Sequence, residues 1–222
     1  MSVEATHISD RWDPEPRWPA FIAVVAVGGL YTALPAYMRL GPRWLFLVVI
    51  LALLVPTVVS HVKGHHLLNR VFGFTVNVVV TLGMIASVLL LIAALPEHKE
   101  APTELLLSAA SLWFTNILVF ALWYWRLDAG GPHGRDKQYG HQDGAFLFPQ
   151  MTMSPEAKTK ADEHEWSPNF VDYLFLAFNT STAFSPTDAP VLARWAKALM
   201  MLQSLISLTV LALLAARAVN IL

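Results

Sequence analysis

A run of hydroxyl side chains near the C-terminal end is the part of this sequence best suited to chemistry. The run comprises Thr180, Ser181, Thr182, Ser185 and Thr187. Hydroxyl oxygens that line a narrow path can replace part of the water shell of a small cation. The spacing shows no nucleophile elbow and no phosphate-binding glycine loop, so these hydroxyls favour ion coordination over covalent catalysis. A membrane setting is needed for such a path, and the flanking residues indicate one.

The hydroxyl run ends a helix that is too short to cross a bilayer. Ser167 followed by Pro168 is typical of a helix start. The helix predicted over residues 168–180 is about 20 Å long, whereas a membrane span needs about 30 Å. Pro186 and Pro190 then break the chain. Non-helical backbone at membrane depth is tolerated only where it is buried or lines water. The segment is therefore either a re-entrant pore helix or an interfacial helix beside an ordinary span.

Composition places the whole chain in a membrane. Of its 222 residues 55% are hydrophobic and 14% are charged, against about 25% charged in soluble domains. The formal net charge of −1 gives no indication of nucleic-acid binding, and the absence of cysteine excludes disulfides and thiolate metal sites. We expect the lipid bilayer as the principal partner and no cofactor.

Five apolar runs predict an all-α integral membrane protein with five transmembrane helices. They cover residues 20–38, 44–60, 71–95, 104–125 and 198–222. A polar N-terminal segment, 1–17, precedes a three-helix unit, 18–103. The remainder, 104–222, is predicted to form one module. It comprises an outer helix, a long loop over 126–165, the short helix and its following loop over 167–190, and an inner helix over 191–222.

Residues 177–188 read Ala-Phe-Asn-Thr-Ser-Thr-Ala-Phe-Ser-Pro-Thr-Asp. This stretch resembles, without gaps, the pore helix and filter of the potassium-channel superfamily, whose pattern is roughly S-F-x-T-x-T-T-V-G-Y-G-D. Phe178, Thr180, Thr182 and Asp188 match that pattern. Residues 198–207 resemble the start of the family's inner helix, often M-L-E-x-L-x-G, with Gln203 at the acidic position.

The resemblance covers residues 104–222 and implies a homotetramer around a path for monovalent cations. The chain is also similar to a group of small bacterial multi-pass membrane proteins with the same ending, which implies the bacterial inner membrane. Phe178, Gln203 and Ser207 would then support the pore, and residues 180–188 would form it.

The departures from the family pattern concern selectivity and gating. Ser185 and Thr187 stand where the filter glycines would be, and Pro186 stands at the tyrosine. Glycines are needed there because the filter backbone adopts conformations that other residues avoid, and proline holds φ near −65°. Ser207 replaces the hinge glycine.

We therefore expect a channel-like protein for small cations with a filter unlike that of potassium channels. Ala183 lies within the filter-like loop, and Phe184 or Pro186 would form a constriction. The alternative is a non-conducting structural or regulatory membrane protein that keeps the channel fold. Spans one to three lack the arginine ladder of a voltage sensor.

A second pattern, His61-Val-Lys-Gly-His65-His66, matches one histidine box of membrane di-iron hydroxylases. Those enzymes need several boxes to surround both irons, and no second box occurs in the sequence. A histidine-box metalloenzyme is thus a second alternative, and interfacial histidines without a metal are the simpler interpretation. Our expectation is a protein that is not an enzyme.

Two polar residues inside predicted spans remain open to two interpretations. Gln203 either makes a contact behind the filter or between subunits, or it bonds a neighbouring helix of its own chain. Asn77 carries the same alternatives, with the intramolecular bond favoured.

Membrane orientation is also open. Pore loops of the family enter from outside, which would leave only Arg39, Arg43, Lys99 and Arg217 in the cytoplasm. The positive-inside tendency favours the opposite orientation, with the other eleven basic residues inside.

Overall fold

The computed structural model describes residues 15–94, 102–137, 144–161, 166–182 and 189–219, and every regular element in them is helical. The α-helices are α1 (Trp18–Ala33), α2 (Leu45–Val62), α3 (His66–Ala94), α4 (Pro102–Leu127), α5 (Pro132–Arg135), α6 (Pro155–Ala161), α7 (Phe170–Thr182) and α8 (Arg194–Val219). Of these, α2, α3, α4 and α8 are long and apolar enough to cross a membrane. The chain is therefore an all-α membrane protein.

The first helix is shorter than the sequence predicts. The apolar run suggests a helix over 20–38, but α1 ends at Ala33 after 16 residues. Leu34 is extended because the ring of Pro35 disfavours helical geometry in the residue before it. A separate 3₁₀ turn, Ala36–Met38, follows. At 1.5 Å per residue α1 is about 24 Å long, which leaves four helices of full spanning length in the described chain.

The connector between α2 and α3 is also shorter than expected. The sequence suggests a polar connector over 61–70, but both helices extend into it and leave only Lys63, Gly64 and His65 between them. Gly64 has a φ of +69°, a left-handed conformation that residues with a side chain rarely adopt. His61 and His66 consequently lie on helices, one on each side of a tight turn.

The spanning helices alternate in direction, and most of the polar chain collects at one end of the bundle. At this end, which we call the loop end, Arg17 pairs with Asp136 and the ring of His66 stacks on His133. The segment from Asp128 to Ala193 starts and finishes at the loop end, since Leu192 N–H donates to Ala145 O.

The predicted long loop is folded against the helices where the structure describes it. Phe146 is completely buried, and its ring contacts the rings of Tyr124 on α4, Tyr173 on α7 and Trp195 on α8. This part of the loop therefore docks onto the helices. One aromatic side chain thereby fixes the relative positions of three helices.

A buried charged network holds the same loop, and sequence reasoning did not identify it. Arg135 donates to both Glu15 Oε2, at 2.8 Å, and the carbonyls of Trp125 and Asp128, each at 2.9 Å. The Asp128 carboxylate accepts the Tyr173 hydroxyl at 2.7 Å and the Ala145 N–H. We call this set of residues the Arg135 network. It ties the segment before α1, the end of α4 and the start of α7 into one unit.

Candidate functional site

The candidate site is built on α7, the short helix that the sequence predicts over 168–180. It runs from Phe170 to Thr182, and its N-cap is Asn169 rather than Ser167. Asn169 Oδ1 accepts the N–H of Val171, while the carboxylate of Asp172 accepts the N–H of Asn169. This reciprocal pair gives hydrogen-bond partners to N–H groups of the first helical turn. The helix therefore begins after Asn169, and Pro168 lies outside it. The predicted helix exists, shifted by two residues.

Helix α7 packs between α4 and α8, and it is held there by Gln203 of α8. The Gln203 side-chain amide donates to Ala177 O and to Ser181 Oγ, both at 2.7 Å. Its carbonyl oxygen accepts the hydroxyl of Tyr124 on α4 at 2.5 Å. The residue is fully buried. Gln203 thus bonds neighbouring helices of its own chain, and these bonds reach the C-terminal half of α7.

Asn116 extends this cluster deeper along α4. Its amide donates to Gln203 O at 3.1 Å and to Ser207 Oγ at 2.8 Å. Ser204 Oγ donates weakly to Thr180 O at 3.3 Å. Tyr124, Asn116, Ser181, Gln203 and Ser207 together form what we call the Gln203 cluster. All of its members are neutral and buried, as suits hydrogen bonds inside a membrane.

The predicted pore residues fall into three groups. Thr180 and Ser181 are buried against the chain's own helices, and Thr180 Oγ1 bonds Leu176 O at 2.8 Å. Thr182 is exposed at the end of the helix, with its hydroxyl on Phe178 O at 2.9 Å. Residues Ala183, Phe184, Ser185, Pro186, Thr187 and Asp188 lie outside the described part of the chain.

Phe178 lies on the outer side of α7. Its ring is 43% exposed and meets the edge of Trp113 at 6.0 Å between centroids. With Phe114 and Phe175 it lines an apolar groove of about 690 Å³ between α1, α4 and α7. A membrane or a second copy of the chain would cover this surface.

The end of α7 has the electrostatic character that suits a cation. The last carbonyls of a helix carry roughly half a negative charge. In the last turns of α7, Ala177 O and Thr180 O accept bonds from α8, and Phe178 O accepts the Thr182 hydroxyl. Among the described residues, no basic side chain forms an ion pair or hydrogen bond with this end of α7. The arrangement can therefore stabilise positive charge close to Thr182.

No family model, curated protein or solved structure matches this chain.

The likeness to potassium channels accordingly rests on the residues of the stretch 177–207 and remains a resemblance.

Two histidines of the pattern, His61 and His66, line one cavity together with His133. The His66 ring stacks on His133 of α5 with centroids 3.8 Å apart, and His65 lies in the turn before α3. Over the described ranges, no three His, Cys, Asp or Glu side chains come together as metal ligands would. The geometry thus offers nothing in support of the metalloenzyme alternative.

Sequence reasoning missed several residues that position the site. Tyr124 and Asn116 look like ordinary members of an apolar span, because the partner that each one needs lies 79 or more positions away. Asp128 and Arg135 look like solvated loop charges. An informative signal was available for Asn116, since an amide within an otherwise apolar span needs a hydrogen-bond partner.

Proposed function

We propose that this protein is a channel-like protein of the bacterial inner membrane that provides a pathway for small monovalent cations. Helices α4, α7 and α8 would form the pore module, with α7 as a re-entrant helix. The observation that carries the proposal is the half-length helix α7, held between two spanning helices by Gln203. Its 13 residues are about 20 Å long, short of the roughly 30 Å of a span.

The course of the chain around α7 supports this arrangement. Phe170, at the start of the helix, meets the ring of Trp125 at the loop end of α4. Val191, after the helix, bridges to Phe146 at that same end. The start of α7 and Val191 therefore both lie at the loop end, which supports a pore-loop course for the segment between them. An interfacial helix would instead lie across the bundle end, without buried bonds to the middle of α8.

A single α7 cannot enclose a pathway, so the proposal requires several copies around an axis. The resemblance to potassium channels favours four copies. Closed rings of identical chains are common because a cyclic arrangement satisfies every interface. The exposed faces of α7 and α8, which include Phe175, Phe178, Met201 and Leu205, provide apolar surface for such contacts.

Selectivity is expected to differ from that of potassium channels. Thr182 is the exposed hydroxyl nearest the negative end of α7. The stretch that follows carries Ser185, Pro186 and Thr187 where the family has glycine, tyrosine and glycine. Without the glycines a stack of four carbonyl rings does not form. Hydroxyl coordination would discriminate weakly among alkali-metal ions.

Cation flux into proteoliposomes tests the proposal. Purified protein in vesicles of mixed lipids should carry Na⁺, K⁺ or Rb⁺ down a gradient, with small differences among the three ions. Empty vesicles are the blank, and vesicles with heat-inactivated protein control for leakage. Absence of flux for every monovalent cation would leave the non-conducting alternative.

The oligomeric state gives an independent check. A ring whose symmetry axis passes close to residues 180–188 supports the pathway. A monomer, or a ring with these residues on its rim, contradicts it even if some leakage is measured.

A further inference from the structure

A basic cavity of about 460 Å³ opens at the loop end, away from α7. Its walls come from the last turn of α2, the first turns of α3, the end of α4 and α5. Four permanently basic side chains line it, namely Arg17, Arg70, Arg126 and Lys137, together with three histidines. Asp136 is the single carboxylate in this lining. The cavity is thus a concentration of positive charge on a chain whose net charge is −1.

Within the described part of the chain, most of that positive charge has no carboxylate partner. Asp136 is already occupied, because it pairs with Arg17 and accepts the N–H of Glu15 at 3.1 Å. Among the described residues, no carboxylate lies within ion-pair distance of Arg70, Arg126 or Lys137. The pKa of His133 is lowered, first by burial and then by the nearby positive charges of His66, Lys137 and Arg17.

Arg126 is the innermost of these cations, and the fold makes room for it. Its guanidinium lies over the rings of Phe74 and Trp125, at 5.8 and 5.3 Å from their centroids. Its Nε is fully buried and has no hydrogen-bond partner. A Cβ on Gly73 would fall 2.0 Å from its Nη1, so a larger residue at this position would require the Arg126 side chain to move. A buried guanidinium with an unused donor is suited to an anion.

An apolar groove continues from this cavity along the outer side of α3. It has a volume of about 570 Å³ and shares Leu67, Arg70 and Phe74 with the basic cavity. Further along, its floor is formed by Val71 and Val78, which are both exposed. The two features together form a basic cavity for a headgroup and an apolar groove that leads from it towards the middle of the membrane.

We propose that this composite site binds one anionic phospholipid, with the phosphate of the headgroup in the basic cavity and an acyl chain in the groove on α3. Phosphate oxygens match the planar donors of arginine, which bind them through paired hydrogen bonds. A free phosphate ion would satisfy the cavity but not the groove, which favours the lipid. Basic pockets between spanning helices are typical headgroup sites on the cytoplasmic side of membranes.

The distribution of charge is consistent with that side. Arg17, Arg70, Arg126, Arg135 and Lys137 all lie at the loop end, whereas Arg39 and Arg43 lie at the other end. The positive-inside tendency therefore directs the cavity to the cytoplasmic leaflet. The site is separate from α7, and its occupancy does not depend on ion conduction.

Lipid binding by the full-length protein in an uncharged detergent tests the proposal. Native mass spectrometry and thermal melting would be measured with dioleoyl phosphatidylglycerol, dioleoyl phosphatidylcholine or inorganic phosphate. We expect phosphatidylglycerol to bind one molecule per chain and raise the melting temperature, and the other two to have little effect. The double variant Arg70→Gln/Lys137→Gln removes two exposed cavity cations and should weaken phosphatidylglycerol binding by roughly tenfold or more.

A matched control removes the same charge elsewhere at the loop end. Lys158→Gln/Lys160→Gln changes two lysines of α6 that do not line the cavity, so it should retain the affinity of the unmodified protein. Equal loss in both double variants would show only general attraction to acidic lipid and would overturn the site. Equal binding of phosphatidylcholine would also overturn it. Equal stabilisation by inorganic phosphate would replace the lipid by a free anion.

Discussion

Two clusters hold the short helix α7, and they use opposite chemistry. The Arg135 network fixes its N-terminal end, where Asp128 accepts the hydroxyl of Tyr173 and Arg135 lies over the same ring at 5.0 Å. The Gln203 cluster fixes its C-terminal half through amides and hydroxyls alone. The first is charged and close to the loop end, and the second is neutral and lies among the spanning helices.

The difference follows from how each environment treats charge. A charged side chain in the middle of a bilayer is costly, so intramembrane contacts are better made by neutral groups. Close to water, a buried ion pair becomes tolerable when hydrogen bonds satisfy its remaining donors, as the carbonyls of Trp125 and Asp128 do for Arg135. The two clusters should therefore respond differently to mutation, and the following variants test that contrast.

The largest effect is expected for Arg135→Met. It leaves the Glu15 carboxylate buried without its cation, and breaking a buried pair in this way costs about 3–5 kcal/mol. Chemical unfolding in mixed micelles would measure the loss. The double variant Glu15→Gln/Arg135→Met removes the uncompensated charge and should recover a large part of it. If the double variant is no more stable than Arg135→Met, the network is not held by this pair.

The same variant should acquire a dependence on pH. Burial raises the pKa of Glu15, and the neighbouring charge of Arg135 opposes that rise. Without Arg135 the pKa in the folded state rises further above its unfolded value. A carboxyl group with a raised folded-state pKa does not reduce the free energy of unfolding below its unfolded pKa. The reduction grows as the pH rises from the unfolded pKa to the folded pKa. Both proteins should lose stability as the pH rises above the unfolded pKa of about 4.5, but in Arg135→Met the loss continues to higher pH. The variant should therefore fall below the unmodified protein once the pH exceeds the folded-state pKa that Glu15 has in the unmodified protein. Parallel stability curves would contradict this.

A smaller effect is expected in the Gln203 cluster. Gln203→Leu removes three side-chain hydrogen bonds, and at about 0.6 kcal/mol each inside a membrane the loss is about 2 kcal/mol. Because no charge is involved, the loss should not vary with pH between 5 and 8. Ser204→Ala, one position along α8, breaks only the 3.3 Å bond to Thr180 O and serves as the matched control. Unfolding in the same micelles gives both values.

A double-mutant cycle sharpens that result. Tyr124→Phe combined with Gln203→Leu should cost less than the sum of the two single variants, because both remove the same hydrogen bond. Strict additivity would show that the bond contributes nothing.

The smallest effect on stability is expected for Thr182→Val. The side chain is exposed, so the free energy of unfolding should change by no more than about 0.5 kcal/mol. Under the proposed function the same variant should reduce cation flux or alter the ratio of K⁺ to Na⁺ permeation. Ser181→Ala is the matched control. It removes a buried hydrogen bond to Gln203 and should lower stability, but it leaves the exposed hydroxyl of Thr182 and therefore the flux unchanged. Unchanged flux and selectivity in Thr182→Val would show that Thr182 does not line the cation pathway.

Much of the fold was accessible from local patterns. The spanning helices α2, α3, α4 and α8 follow from uninterrupted apolar runs, and the half-length of α7 follows from its flanking polar and proline residues. The bounds were less accessible. Leu34 ends α1 early because of the following proline, whereas α3 begins five residues before its apolar run, since helices continue readily beyond a membrane surface.

The candidate site was predicted in part. Gln203 stands out in the sequence as an amide in an apolar span, but its partners do not. Tyr124, Ser181 and Ala177 are placed around it by the packing of α4, α7 and α8. The basic cavity has no sequence signal at all, since its four cations come from α3, α4, the turn after α5 and the segment before α1. Residues far apart in sequence that meet only through folding leave no periodicity.

By itself the sequence determined that this protein lies in a membrane and which stretches of it form helices, because hydropathy and proline act locally. It also determined that the stretch 177–188 carries hydroxyls in place of the glycines of a potassium filter. Only the tertiary structure decided which polar groups pair. It placed neutral amides between α4, α7 and α8, an ion network at the start of α7 and a basic cavity beside α3. These pairings depend on which helices are neighbours, because a buried polar group is stable only where the packing gives it a hydrogen-bond partner.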